Sequence, residues 1–105
     1  MNKKKYILVT GAGGSIGTEL SIQLVNLREK NIIFVDHTEE NIFYLKTKIK
    51  SILKKKITKT DYKYLLISIT DKFILDKIFK QYTFSDVFHT AAYKHVNLLE
   101  TNILE

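Results

Sequence analysis

Apolar and polar positions along the chain follow two rhythms, and the switches between them mark the elements. Lys5 to Thr10 (KYILVT) is a short apolar run closed by glycine, the pattern of a buried strand. From Ser15 to Arg28, Ile16, Leu20, Leu24 and Leu27 recur at helical spacing, which predicts a helix with those residues on one face. Asn31 to Asp36 (NIIFVD) is a second β-branched run. Thr38 then offers an N-cap, and Glu39 and Glu40 fall in the first turn, where the helix dipole favours acids. That second helix is expected to run to about Lys55, with Ile42, Leu45, Ile49 and Ile52 in register. Tyr64 to Ile69 (YLLISI) reads as a third strand, and Asp71 to Tyr82 as a third helix carrying Ile74, Ile78 and Tyr82. Asp86 to Thr90 (DVFHT) reads as a fourth strand, and a last helix is expected to begin near His95.

Strands alternating with helices of this length call for parallel pairing through right-handed crossovers. The expected fold is therefore α/β and doubly wound: a partial Rossmann fold, with a parallel sheet of about four strands in the order 3-2-1-4 and flanking helices. One domain accounts for all 105 residues. In that order a ligand crevice opens beside the C-terminal ends of strands one and four, where the turn TGAGGSIG (Thr10 to Gly17) lies.

Gly11, Gly14 and Gly17 are spaced G-x-x-G-x-x-G, and Gly13 adds slack. The helix that starts at Ser15 and Ile16 points its free N–H groups over this loop, so a pyrophosphate fits there: glycine lets it approach the backbone, and the helix terminus supplies partial positive charge. The sequence has no G-K-[ST], which excludes a Walker-type triphosphate loop. A glycine turn alone is weak evidence, because tight strand-to-helix turns need glycine for steric reasons. Its position strengthens it. Asp36 closes the second strand 25 residues after Gly11, where a carboxylate accepts both ribose hydroxyls. An acid there repels a 2′-phosphate, so the expected cofactor is NAD rather than NADP.

Composition narrows the partners. With 45% hydrophobic and 27% charged residues, and no apolar run long enough for a membrane span, the chain reads as soluble. The basic start is followed by an apolar run that ends at Thr10 and Gly11, too short for an export signal. The absence of cysteine excludes disulfides, thiolate chemistry and cysteine-ligated zinc, and makes the cytoplasm the default compartment. A net charge of +6 raises the question of nucleic acid. Arg28 is the one arginine beside sixteen lysines, whereas base and phosphate readout favours arginine. The dense stretch from Lys46 to Lys63 falls on a helix and the loop after it, where a solvated face explains it, so no nucleic-acid partner is expected. His37, His89 and His95 have neither the spacing nor the carboxylate company of a metal site.

Three segments together carry a resemblance: VTGAGGSIG (Val9 to Gly17), VDHTEENIFYL (Val35 to Leu45) and HTAAYKHVNLLETN (His89 to Asn102). The chain resembles extended short-chain dehydrogenase/reductases of the bacterial polysaccharide-biosynthesis branch, nucleotide-sugar 4,6-dehydratases acting on UDP-N-acetylglucosamine. The likeness covers essentially the whole chain but only the first part of such an enzyme. The first motif is shared across the superfamily, and the third is far more specific. The resemblance implies that His89, Ala91 and Ala92 line the cofactor and that Lys94, His95 and Val96 shape the UDP-sugar site; His37, Ser68 and Ile69 are further cofactor-binding candidates. Three positions depart from the family pattern. Asn97 replaces a usual proline, Ser68 and Ile69 stand where an acid usually meets the adenine, and Thr90 replaces a usual alanine.

In that family a tyrosine, or its equivalent, and a lysine four residues later take part in hydride transfer after a fifth strand. Oxidation at C4 by NAD acidifies the C5 proton, water leaves from C6, and the hydride returns to C6. The chain has no counterpart of that region, so no catalytic residue is assigned, and the chain alone is expected to bind dinucleotide without turnover. Tyr44 and Lys48 do spell Y-x-x-x-K, but on the second helix, away from the crevice. With 6 Tyr and sixteen Lys in the chain, roughly one such match arises by chance. The competing reading is a non-catalytic NAD-binding or interaction module. There the missing strands leave the fourth strand's edge open to another chain, a homo-oligomer included.

Overall fold

In the computed structural model, which describes residues 4–54, 59–68, 70–90 and 94–98, the apolar runs lie side by side as parallel strands. β1 (Lys5–Thr10) pairs with β2 (Asn31–Asp36) on one side and with β4 (Thr83–His89) on the other, and β3 (Asp61–Leu66) pairs with β2, all in parallel. α1 (Ser15–Asn26), α2 (Glu39–Leu53) and α3 (Lys72–Gln81) are the crossovers. The sheet order is β3-β2-β1-β4-β5, with β5 (Lys94–Asn97) antiparallel to β4. The Rossmann-like order 3-2-1-4 expected from the sequence is present, extended by one strand.

The central strands β1 and β2 are buried along nearly their whole length because both faces of the sheet are covered there. On one face Ile7, Val9, Ile32 and Phe34 pack against Leu24 and Val25 of α1 and Leu45 and Ile49 of α2. On the other, Tyr6, Leu8, Ile33, Val35 and Phe84 pack with Ile78 of α3. Thr38 caps α2 as expected, its hydroxyl accepting from the Asn41 N–H at 3.3 Å. Asp71 caps α3 in the same way, accepting from the Ile74 N–H at 3.2 Å.

Five expectations need correction. β3 starts at Asp61, three residues before the expected Tyr64, because its ladder is set by β2: Asn31 faces Asp61 and Asp36 faces Leu66. Tyr62 and Tyr64 pack on Phe34, while the polar Asp61 before them and Lys63 between them interrupt the apolar run. β4 likewise begins at Thr83 rather than Asp86. Tyr6 faces Phe84 and Ile7 faces Asp86, so Ser85 is an extra residue in β4, and this bulge breaks its alternation. α1 ends at Asn26, short of Arg28, whose φ of 68° is left-handed.

Within α1, Ile16 and Leu27 are 45% and 71% exposed. The buried face is Gly17, Thr18, Ser21, Leu24 and Val25, and the small residues among them, Gly17, Thr18 and Ser21, let the helix lie close to the sheet. The helix expected near His95 is instead strand β5, which takes up the edge of β4 that the sequence left open. His95 stacks on Phe88 with ring centroids 4.2 Å apart, and its Nε2 lies 2.9 Å from Asp86 Oδ1. Pairing with a free strand edge satisfies the backbone there and overrides the local helical pattern.

Candidate functional site

The strand order changes direction between β1 and β4, and the glycine turn sits at that switch point. Gly11 holds φ 67°, a left-handed conformation that glycine adopts at no steric cost. The turn is fastened on three sides. The Ala12 N–H donates to the Val35 carbonyl at 2.9 Å, the Gly14 N–H donates to the Gly11 carbonyl at 3.2 Å, and the Thr18 N–H donates to the Gly14 carbonyl at 2.8 Å. Gly17 lies against the loop so closely that a Cβ there would fall 1.9 Å from the Gly11 carbonyl oxygen. The helix spacing of the motif is therefore a packing requirement. At Gly14 a Cβ would meet only the Gly11 oxygen, at 3.5 Å.

Gly14 is the N-cap of α1 and, lacking a side chain, caps nothing; the first turn that follows, with Ser15 and Ile16, contains no acid. Among the described residues no acceptor reaches the N–H groups of Ser15 and Ile16. The start of α1 thus combines open donors with the positive end of the helix dipole.

Asp36 ends β2 beside this loop and is 2% exposed. Its Oδ2 accepts from the Gly13 N–H at 2.9 Å. Its Oδ1 accepts from the Thr38 N–H at 3.0 Å, the Thr38 hydroxyl at 3.3 Å and the Asn41 side-chain amide at 3.2 Å. Burial alone pushes the carboxyl pKa up, but the hydrogen bonds from Thr38, Gly13 and Asn41 outweigh it, and the net direction is down. Asp36 is a fixed negative charge. His37 points outward, its Nδ1 3.8 Å from Asp36 Oδ1.

On the other side of the switch point, Thr10 Oγ1 and His89 Nδ1 lie 2.5 Å apart. The Thr90 hydroxyl is placed to donate to the carbonyls of Thr10 (2.8 Å) and Gly11 (3.1 Å). A recess of about 130 Å³ opens between α1 and the β4–β5 hairpin, lined by Ile16, Leu20, Phe88, Thr90, Lys94 and His95. A larger groove of about 510 Å³ runs past Thr47, Lys50, Ser51 and Lys54. Those residues belong to the C-terminal half of α2, which runs away from the switch point, so this groove is separate from the site.

The fold therefore gathers Gly11, Gly13, Gly14, Ser15, Ile16, Gly17, Asp36 and His89 at one end of the sheet, with Lys94 and His95 beside them on β5. Ser68 follows Ile67, whose N–H bonds the Asp36 carbonyl at 2.9 Å, and its own hydroxyl is 2.7 Å from that of Thr70. Ile69, Ala91 and Ala92 lie outside the described residues. Tyr44 and Lys48 face solvent on α2, the ammonium 5.4 Å from the ring centroid, remote from the recess. Sequence reasoning passed over Thr10 and Asn41 and treated Thr90 only as a departure. The sole advance signal for Asn41 was its place three residues after a capping threonine.

Fold, turn and buried acid define a Rossmann-like α/β protein with a glycine-rich switch-point loop. Residues 7–105 match the family described as polysaccharide biosynthesis protein, and the chain belongs to that family. It is 36% identical over 100 residues to the probable polysaccharide biosynthesis protein EpsC of Bacillus subtilis (strain 168). It is 32% identical over 98 residues to the capsular polysaccharide biosynthesis protein CapD of Staphylococcus aureus. These matches cover 95% and 93% of this chain but only 16% of each relative. The bifunctional protein GAL10 of Pachysolen tannophilus is 34% identical over 91 residues, which is 87% of this chain and 12% of that protein. The resemblance drawn from the three motifs holds at the level of the family. Among the described residues, no helix is long and apolar enough to cross a membrane.

Proposed function

We infer that this chain is the dinucleotide-binding portion of a nucleotide-sugar 4,6-dehydratase-like enzyme of surface polysaccharide or glycan synthesis. The observation that carries the reading is the uncapped, acid-free start of α1, set over Gly14 and beside the buried Asp36 at the switch point. The donor set suits a dinucleotide: the amides of Ser15 and Ile16 hold a pyrophosphate, and Asp36 holds the adenosine ribose. NAD, when bound, supplies the hydride acceptor, and the fixed charge on Asp36 disfavours the 2′-phosphate of NADP. Thr90 and His89 hold the loop side of the crevice. Lys94 and His95 offer a cation and an imidazole to the UDP-sugar from the recess. The recess is smaller than the roughly 300 Å³ at which small-molecule pockets begin, so the sugar-nucleotide site needs more walls than these residues supply. No Tyr–Lys pair faces it among the described residues, and the chain alone binds without turnover. A cytoplasmic setting fits the cysteine-free sequence.

Equilibrium titration of the purified chain with NAD and NADP tests the reading. Saturable NAD binding, weaker for NADP, is the expected result. No binding of either, or a preference for NADP, overturns it, and a 4,6-dehydratase product formed by the 105-residue chain alone refutes the lack of turnover.

A further inference from the structure

Asp36 is the acid that faces a ribose in the dinucleotide reading, yet one of its oxygens, Oδ1, is already taken. A carboxylate offers about four acceptor positions. Here the donors are the N–H groups of Gly13 and Thr38, the Thr38 hydroxyl and the Asn41 side-chain amide. Oδ1 accepts from three of them and Oδ2 from the Gly13 N–H alone, so a ribose diol that bridges the two oxygens finds room at Oδ2 but must displace a donor at Oδ1. The two N–H donors belong to the backbone of the glycine loop and of the turn into α2. The Thr38 hydroxyl is also occupied, as the cap that accepts from the Asn41 N–H. The Asn41 Nδ2 has no other hydrogen bond among the described residues, and its bond to Asp36, at 3.2 Å, is longer than those of the two N–H donors. A change of side-chain rotamer releases it.

Asn41 also marks where α2 touches the loop. A Cβ on Gly13 would fall 2.5 Å from Asn41 Cβ and 2.6 Å from its carbonyl oxygen. Gly13 is thus needed for the first turn of α2 to close over Asp36, and the Asn41 side chain springs from that contact.

We propose that the Asn41 side-chain amide stands in for a ribose hydroxyl on Asp36, so that a dinucleotide binds by exchanging its own hydroxyl for that amide. The proposal rests on the dinucleotide reading above. In the exchange one N–H···O⁻ bond is lost and one O–H···O⁻ bond is gained, while the asparagine turns to water. A 2′-phosphate brings no hydroxyl donor at that position and does not make the exchange, so the asparagine sets affinity at the diol.

The test compares ADP with 2′,3′-dideoxy-ADP on the wild-type chain and on Asn41→Ala, by calorimetric titration. Removing the competing amide is expected to tighten ADP about three- to tenfold, the scale of one ordinary net hydrogen bond, and to change the dideoxy nucleotide less than about twofold. In the wild type, the side-chain amide resonances of Asn41 are expected to shift on adding ADP and stay in place with dideoxy-ADP, a readout that does not depend on how well the variant folds. Equal changes for both nucleotides, weaker ADP binding in the variant, or an Asn41 signal indifferent to the diol overturns the exchange. If NAD still binds the wild type in that case, the dinucleotide reading survives. If neither form binds NAD or ADP, both fail together.

Discussion

The Thr90 hydroxyl reaches from the end of β4 to the Gly11 carbonyl, 3.1 Å away, and so ties the strand on one side of the switch point to the glycine turn on the other. The same hydroxyl lies 2.8 Å from the Thr10 carbonyl, and the residue is 8% exposed. An alanine, the more usual residue in the resembled family, lacks this hydroxyl. Thr90→Val keeps the shape and deletes the donor. It is expected to cost about 1–2 kcal/mol in urea unfolding, because buried carbonyl oxygens lose a partner, and to weaken NAD binding by loosening Gly11. Unchanged stability and affinity would show that the tie holds nothing.

At the opposite end of the sheet, Tyr6 and Asp61 couple β1 to β3 across β2. The Tyr6 hydroxyl donates to Asp61 Oδ2 at 2.5 Å, and Lys4 Nζ lies 2.9 Å from the same oxygen. The bond from Tyr6 and then that from Lys4 hold the Asp61 carboxyl at about 2, below its ordinary 3.8, against the opposing effect of burial. The bond to Asp61, followed by burial, raises the Tyr6 phenol from 10.0 to about 12. A depressed carboxyl stabilises the fold above its unfolded value and loses that contribution as pH falls from near 4 towards 2. A raised phenol stabilises it below 10 and loses that contribution as pH climbs towards 12. Tyr6→Phe is therefore expected to cost about 1–2 kcal/mol at neutral pH, to move the acid transition to higher pH and to flatten the alkaline one. Circular dichroism melts across pH read all three. Lys4 is half exposed, so Lys4→Ala should change little.

Ser21 carries the opposite kind of hydroxyl. It is fully buried in α1, and its Oγ has no partner among the described residues. A desolvated, unpaired hydroxyl is a cost, and alanine is the better helix former. Ser21→Ala is expected to raise stability by about 0.5–1 kcal/mol, seen as a higher urea midpoint. A lower midpoint would reveal a bond that this geometry lacks.

The sheet order was legible because apolar runs such as NIIFVD are what a strand covered on both faces requires, and because the turn glycines and Thr38 punctuate the chain locally. What stayed hidden was set by contacts distant in sequence. β3 takes its start from the length of β2, β4 carries a bulge at Ser85, and Lys94 to Asn97 becomes a strand only because the β4 edge is there to pair with. The site divides in the same way. The glycines and Asp36 are visible by spacing, whereas the roles of Thr90 and Asn41 depend on partners 79 and 5 residues away and become visible only in the folded chain.

Within the glycine turn, packing and binding roles separate at two positions. A Cβ at Gly17 would collide with the Gly11 oxygen at 1.9 Å and with Ala12 Cα at 2.8 Å, both of them backbone atoms that cannot step aside. Gly17→Ala is therefore expected to displace α1 from the sheet and to unfold the chain or cost several kcal/mol, whatever the ligand, on the scale of core overpacking. At Gly14 the added methyl meets only ordinary contact at 3.5 Å, and a φ of −72° suits alanine. Gly14→Ala should then melt within about 1 kcal/mol of the wild type, as substitutions away from packed features do. Yet its methyl would stand at the N-cap of α1, over which the pyrophosphate is proposed to lie. A folded Gly14→Ala chain that has lost NAD affinity would tie binding to the loop surface rather than to the stability of the fold. A folded variant that binds NAD as well as the wild type would move the pyrophosphate away from the start of α1 and take the main support from the proposed function.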